Sequence, residues 1–555
     1  MRFRWQILIA GVGIVLVLLL ILALRGTSTP ILPEPAEVRG GEYKEALVGG
    51  LQRLNPVLDV RNPPDRDVDR LIFSGLVKFD CAGSPVPDLS DGWVISDGGT
   101  VYTFRIREDA VWQDGEPVTA RDVVYTFGLI QDRDYTGPSD LAALWRSVRV
   151  EAVDAKQVRF TLSEPYAPFL DYLAAGLLPE HLLGGTGVRE LDTLAFNLKP
   201  VGSGPFSVET VIVDGETIRG VTLRPNEKYY GDKAHLERVD MLYYPSQAAA
   251  FQALEKGDVM GLGGLTPDEL NAALKEPDLK IYTARLPQSQ LIFLNLKNED
   301  VDFFAQREIR RALLLAINRQ RIIDNVLDGQ AVPAVGPILP GSWAEDPNLQ
   351  PLAYDPDEAA RLLDAQGWII PEGAVPGTDA YVRTRDGAAL RFTLLHAEDP
   401  LQEEAAAAIR AQWAKVGVKA DLQAANMRSL LEDHLIPRTY QAALVELNLA
   451  PYPDPDPYPF WHQTQSPEGQ NYSQLDDRAI SELLEEARTA ISPEERTRLY
   501  QTFQYRFVYQ LPALFLWHPV YSYALDARLE GVTMGPMYDP SERLATAAGW
   551  YVQEK

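Results

Sequence analysis

The chain has 555 residues, with 52 Lys plus Arg against 78 Asp plus Glu, and a formal charge of −26. Apolar residues make up 46% and charged residues 23%, ordinary for a packed core, so disorder throughout is excluded. The acidic balance argues against a nucleic-acid partner, which clustered Lys and Arg would have to hold, and a single cysteine excludes an internal disulfide and multi-cysteine metal sites.

In chain order, Arg2 and Arg4 precede a charge-free apolar run over 7–24. At ~1.5 Å per helical residue the run reaches roughly 27 Å, close to the ~30 Å hydrocarbon core of a bilayer. Positive charge ahead of it leaves the N-terminus cytoplasmic and the remainder outside. Residues 1–25 therefore read as a membrane anchor; a cleaved signal peptide is the alternative, and the body is exported either way. Residues 26–39, with Pro30, Pro33 and Pro35, form a semi-extended linker.

Within the body, Tyr102, Phe104 and Ile106 alternate with Thr103, Arg105 and Arg107, which predicts a strand over 101–107 between turn signals at Asp97-Gly98-Gly99 and Asp114-Gly115. Thr119, three residues before Asp122, starts a helix that buries Val123, Val124 and Phe127. Ile309, Ala312, Leu313, Ala316 and Ile317 give one apolar stripe and predict one helix over 305–319. Asp355-Pro356 opens a further helix that Gly367 closes. A helix over 401–416 ends at Gly417 and runs into a strand where Val418, Ala420 and Leu422 alternate with polar residues. Ser492-Pro493-Glu494-Glu495 reads as a capping box before a helix with Leu499, Tyr500, Phe503 and Phe507 inward. Interleaved strands and helices predict mixed α/β layers.

Several long segments in this order resemble the extracytoplasmic solute-binding proteins of ABC importers, family 5, which includes oligopeptide, dipeptide and nickel binders. The most specific is DLSDGWVISDGGTVYTFRIREDAVWQDGEPVTARDVVYTF (88–127). LLPEHLL (177–183), PVGSGPFSVE (200–209), the run 224–259, the run 307–343, YDPDEAARLLDAQGW (354–368) and the run 470–504 continue it, so the resemblance covers about 40–535. It implies an α/β, periplasmic-binding-protein-like fold of type II in its large three-subdomain form, with two hinged lobes and a cleft between them. Lobe I would comprise 40–80, 200–285 and 510–555, an extra subdomain 81–199, and lobe II 286–509.

The resemblance further implies an extracytoplasmic substrate-binding component that captures a peptide or similar organic solute by lobe closure. Its partners would be the permease and ATPase subunits of the importer, and the membrane through the N-terminal span; the body would be monomeric. A non-peptide ligand (an oligosaccharide or opine-like compound) stays open, as does a role as ligand-loaded sensor or chaperone. In relatives a cleft-facing loop follows a lobe II strand, here within 443–462. Glu446 and Asn448 share one face of that strand. Tyr452, Asp454, Asp456, Tyr458 and Trp461 offer flat apolar faces beside carboxylates, a mixture suited to an amine-bearing ligand; a Pro-rich surface turn with capping aspartates and a core Trp is the alternative. Peptide binders of the family hold the ligand's terminal amine with an aspartate at the start of this loop, and here Pro453 or Asp454 falls at that place. The second cleft contributor follows Leu54-Asn55-Pro56, which makes Val60, Arg61 and Asn62 candidates.

The six histidines form no H-x-x-x-H or HExxH, so no metal cage is expected. There is no G-x-S-x-G and no P-loop, so neither an enzyme nor a cofactor is expected. Cys81 reads as a buried small hydrophobe.

Overall fold

A computed structural model describes residues 40–448 and 452–553. The apolar run and linker expected over 1–39 lie outside the described residues. Among those described, no helix is long and apolar enough to cross a membrane.

The described chain opens with β1 (Glu42–Val48) and α1 (Pro63–Ile72). It then builds a separate four-stranded sheet from β2 (Ser90–Ser96), β3 (Val101–Ile106), β4 (Arg149–Ala152) and β5 (Gln157–Thr161), in the order β2-β3-β5-β4, with α2 (Ala120–Gln131) packed on it. The alternation in β3 buries Tyr102, Phe104 and Ile106. Facing them, Phe127 of α2 stacks on Trp145 with ring centroids 4.0 Å apart. Asp122 starts α2 by accepting from the Thr119 amide at 2.7 Å. Trp112 is fully buried, and Asp114 meets His181 Nε2 at 2.8 Å across a turn where Gly115 has φ +107°. The segment 88–127 thus builds the core of this subdomain.

The main sheet has twelve strands. β1 is joined by β6 (Phe206–Asp214), β7 (Thr217–Pro225), β8 (Arg238–Tyr244), β9 (Gly261–Gly263), β10 (Leu279–Arg285), β11 (Gln288–Leu294), β12 (Ala331–Pro333), β13 (Arg391–Ala397), β14 (Lys419–Ala425), β15 (Ala442–Asn448) and β16 (Ala513–Asp526). Their order is β14-β13-β15-β11-β16-β9-β1-β8-β7-β6, with β10 and β12 also on β16. The long strand β16 divides the sheet. Its start pairs with β11 (Phe293 opposite Ala513) and its end with β10 (Leu279 opposite Asp526). The cores divide the same way: Leu514, Leu516 and Trp517 pack with Ile292 and Leu313, whereas Tyr523 and Leu525 pack with Tyr43 and Leu71. The chain therefore crosses between two bodies twice, between β10 and β11 and again inside β16.

The second body carries α3 (Arg307–Leu315), α4 (Arg319–Val326), α5 (Pro356–Ala365), α6 (Pro400–Lys415), α7 (Arg478–Thr489) and α8 (Pro493–Gln510). The single helix expected over 305–319 is broken, because the Asn318 side chain accepts from the Arg321 amide at 2.9 Å and starts α4. Asp355 caps α5 by accepting from Glu358 N at 2.8 Å. At α8 only half of the expected capping box forms: Ser492 Oγ accepts from Glu495 N at 3.3 Å, while its own hydroxyl turns to Glu494 at 2.6 Å. Gly202 is needed for contact, since a Cβ there would stand 2.1 Å from the Ile72 carbonyl. The expectation for Cys81 is overturned: it is exposed, on a turn held by the Asp80 carboxylate, which accepts from Ala82 N at 2.9 Å and Ser84 N at 2.8 Å.

Candidate functional site

The faces of the two bodies meet at the segment 452–458. Pro453, Pro455 and Pro457 fix φ along it, so its geometry is set before any contact forms. Asp454 is 3% exposed and ion-paired with Arg496 of α8. Its other oxygen accepts from Tyr500 OH at 3.1 Å. Asp456 takes a two-pronged pair from Arg488 of α7, with Nε and Nη2 both at 2.7 Å, the geometry that makes Arg–carboxylate pairs specific. The Arg488 guanidinium also lies 3.8 Å over the ring of Tyr458, which stacks on His462 at 4.1 Å.

The same segment touches the first body's subdomain. Asp454 N donates to Asp171 Oδ2 at 2.6 Å, and Tyr166 OH donates to Asp456 Oδ2 at 3.3 Å. The rings of Tyr452 and Tyr172 are 4.4 Å apart. Burial pushes the Asp171 carboxyl well above the usual carboxylate range; the neighbouring Asp454 charge adds to this, and the Asp454 amide opposes it. Burial likewise pushes Tyr172 up to about 12, so it stays a phenol and a donor.

On the first body, Asp59 lies just ahead of α1 and is buried. Arg66 of α1 pairs with Asp539 and reaches Asp59 Oδ1 only at 3.7 Å. Burial pushes Asp59 up to about 7, partly offset by Arg66 and reinforced by Asp539.

The structure brings some of the anticipated residues together and separates others. Tyr452, Asp454, Asp456 and Tyr458 gather at the face between the bodies. Glu446 and Asn448 are the two exposed, alternate positions at the end of β15, opposite Gln290 and Gln288 of β11. Val60 is half-buried beside Asp59, and Arg61 is exposed with its guanidinium on the Thr136 carbonyl. Asn62 turns inward and donates to Gly50 O at 2.9 Å. Trp461 is fully buried against Phe293, Phe507 and Phe515, in the core rather than at the face. Asp454, one of the two positions expected at the amine-holding place, is fully engaged by Arg496 and Tyr500.

Sequence reasoning missed the partners: Tyr166, Asp171 and Tyr172 from the subdomain, Arg488 and Arg496 from the helices, and Asp59 and Arg66 around α1. The one available signal was the aromatic cluster YAPFLDYL over 166–173, an apolar run broken by a single aspartate.

Two bodies joined by two strand crossings, with a stiff loop of one seated on the other, define a hinged protein that holds a ligand between its lobes. The model of the bacterial extracellular solute-binding proteins, family 5 (middle), matches residues 84–470. Protein XP55 of Streptomyces lividans is 30% identical over 506 residues, covering 89% of this chain and 87% of its own. The oligopeptide-binding protein AppA of Bacillus subtilis (strain 168) is 26% identical over 522 residues, covering 93% of this chain and 92% of its own. The crystal structure of NikZ from Campylobacter jejuni with Ni(L-His) superposes with a TM-score of 0.65 at 25% identity, covering 92% of this chain and 99% of the other. The chain belongs to the family 5 extracellular solute-binding proteins, the substrate-binding components of ABC importers, and its body works outside the cytoplasm.

Proposed function

We propose that the protein captures a peptide or a similar organic solute between its two lobes, closes on it, and passes it chemically unchanged to a membrane permease driven by an ATPase subunit. The observation that carries this reading is the Pro-stiffened segment 452–458, anchored by two arginines on one body and hydrogen-bonded to the other. The similarity to an oligopeptide-binding protein over most of both chains supports a peptide-like solute.

Lobe I comprises 40–80, 200–285 and, because β16 crosses partway along its length, the chain beyond about 519 in place of the expected 510–555; the extra subdomain is 81–199, and lobe II runs from 286 to about 518 in place of 286–509. Val60, Arg61, Glu446, Asn448 and Tyr452 line the cleft, while Asp454, Asp456 and Tyr458 hold its loop in shape. Residues 1–25 tether the body to the membrane.

The test is native mass spectrometry of the purified protein followed by denaturing release. A series of peptide masses, or one organic solute, is expected. If the protein comes out empty, and no peptide, sugar or amine at ~100 times a plausible Kd raises its stability by the ~2.7 kcal/mol that linkage requires, the solute-binding reading fails.

A further inference from the structure

The two most exposed aromatic side chains among the described residues, Tyr505 at 67% and Tyr509 at 57%, stand on one helix of lobe II. Four residues apart on α8, they share a face. α7 packs against α8, and a groove of about 500 Å³ opens between them. Glu482, Leu483 and Glu486 line it from α7, and Tyr505, Arg506 and Tyr509 from α8. An acidic wall therefore faces an aromatic one.

No free cation serves this groove from within. Glu486 pairs with no cation among the described residues. Glu482 takes Arg478 of its own helix at 2.7 Å, but both members are open to water, and such pairs hold weakly. Arg506 is committed to Asp477, donating to its two oxygens at 2.9 and 3.0 Å. What the tyrosines accept is visible at the rim: the Arg307 guanidinium, itself paired with Glu308, lies 3.9 Å over the Tyr509 ring. Tyr505 has no such cover among the described residues.

The groove is also tied to the interlobe loop. Arg488, two residues past Glu486, holds Asp456, and Arg496 near the start of α8 holds Asp454. At 3.6 residues per turn, Glu486 and Arg488 lie on opposite sides of α7. The same helix pair thus holds the loop on one side and presents the groove on the other.

We propose that this groove docks the importer's membrane permease, through an outward-facing segment that sets a Lys or Arg on Tyr505 with Glu486 as its ion partner. The proposal rests on the solute-delivery reading and deepens it. Charge complementarity selects the occupant. An acidic segment would meet Glu482 and Glu486, and an apolar one would bury Glu486 unpaired, whereas a cation satisfies the carboxylate and the ring together. Tyrosine is among the residues that most often anchor such interfaces.

In the experiment the full chain, loaded with its solute, is reconstituted in liposomes with the permease and ATPase subunits of its importer. ATP hydrolysis is followed against the amount of the chain added. E486K sets like charges against each other and should raise the amount needed for half-maximal stimulation about tenfold or more. Tyr505→Ser should raise it about threefold or more through the lost ring. Native mass spectrometry should find both variants holding solute as the parent does. Should E486K disturb the fold, E486Q keeps the shape and should still raise the amount about threefold. Stimulation by E486Q and Tyr505→Ser indistinguishable from the parent's overturns the docking and leaves solute delivery intact. A parent that binds solute and leaves hydrolysis unchanged overturns delivery, and the docking with it.

Discussion

Replacing Arg496 with Met keeps the aliphatic stem and removes the guanidinium that holds the loop. Arg496 is 8% exposed and Asp454 3%, so their pair is shielded from solvent. Arg496 also donates to Tyr500 OH at 3.2 Å and to the Ala487 carbonyl at 2.9 Å, and lies over Trp343 at 5.1 Å. Removing one partner of such a pair costs about 3–5 kcal/mol, mostly because the other charge is left buried. Here the stranded Asp454 carboxylate would also face Asp171 with no cation between them. In a lobe of about 200 residues, 1 kcal/mol moves Tm by about 2–4 °C, so R496M should lower the lobe II transition by roughly 6–20 °C in scanning calorimetry. Adding D454N removes the stranded charge and should recover at least half of the loss. A transition within about 1 °C of the parent, or a D454N loss that simply adds to the first, would refute the argument.

Burial pushes His518, at the strand crossing, down to about 4. Unfolded, it titrates near 6.5, so its contribution is complete above that value and drains away as pH falls toward 4, by about 3 kcal/mol in all. Urea midpoints at pH 7 and pH 4.5 should therefore lie further apart for the parent than for H518Q, and equal gaps would rule this out. Trp461→Ala should cost about 3–5 kcal/mol in urea titrations, as expected for a large core side chain. Its solute affinity below the transition should stay within about twofold, and a selective loss of affinity would move Trp461 to the cleft. Gly202→Ala forces a methyl onto the Ile72 carbonyl, which cannot yield, and should cost about 1–3 kcal/mol; a neutral substitution would mean the backbone there relaxes freely.

Local signals carried most of the fold. Asp355 and Thr119 are near their first-turn partners in sequence, so helix starts were legible, and the two-residue alternation of 101–106 fixed a strand and its buried face. The break at Asn318 was missed because the apolar stripe runs straight through it; only the side-chain cap shows that the helix restarts. The loop was legible as a stiff, aromatic and acidic segment, but the fate of its charges was not. Asp454 and Asp456 are neutralised by arginines 42 and 32 residues further on, and Asp454 N is received by a carboxylate 283 residues earlier. Nothing local marks such pairings. Trp461 and Asp454 show the consequence: both looked available for a ligand, and one is core while the other is bound by its own helix.

Solute capture should bring the two bodies together about the crossings between β10 and β11 and within β16. Small-angle scattering of the purified protein, stripped of solute and then reloaded with what native mass spectrometry releases from it, tests this most directly. Reloading should lower the radius of gyration, and Tyr452→Ala should weaken the solute's hold. An unchanged radius of gyration with solute fully bound would contradict it.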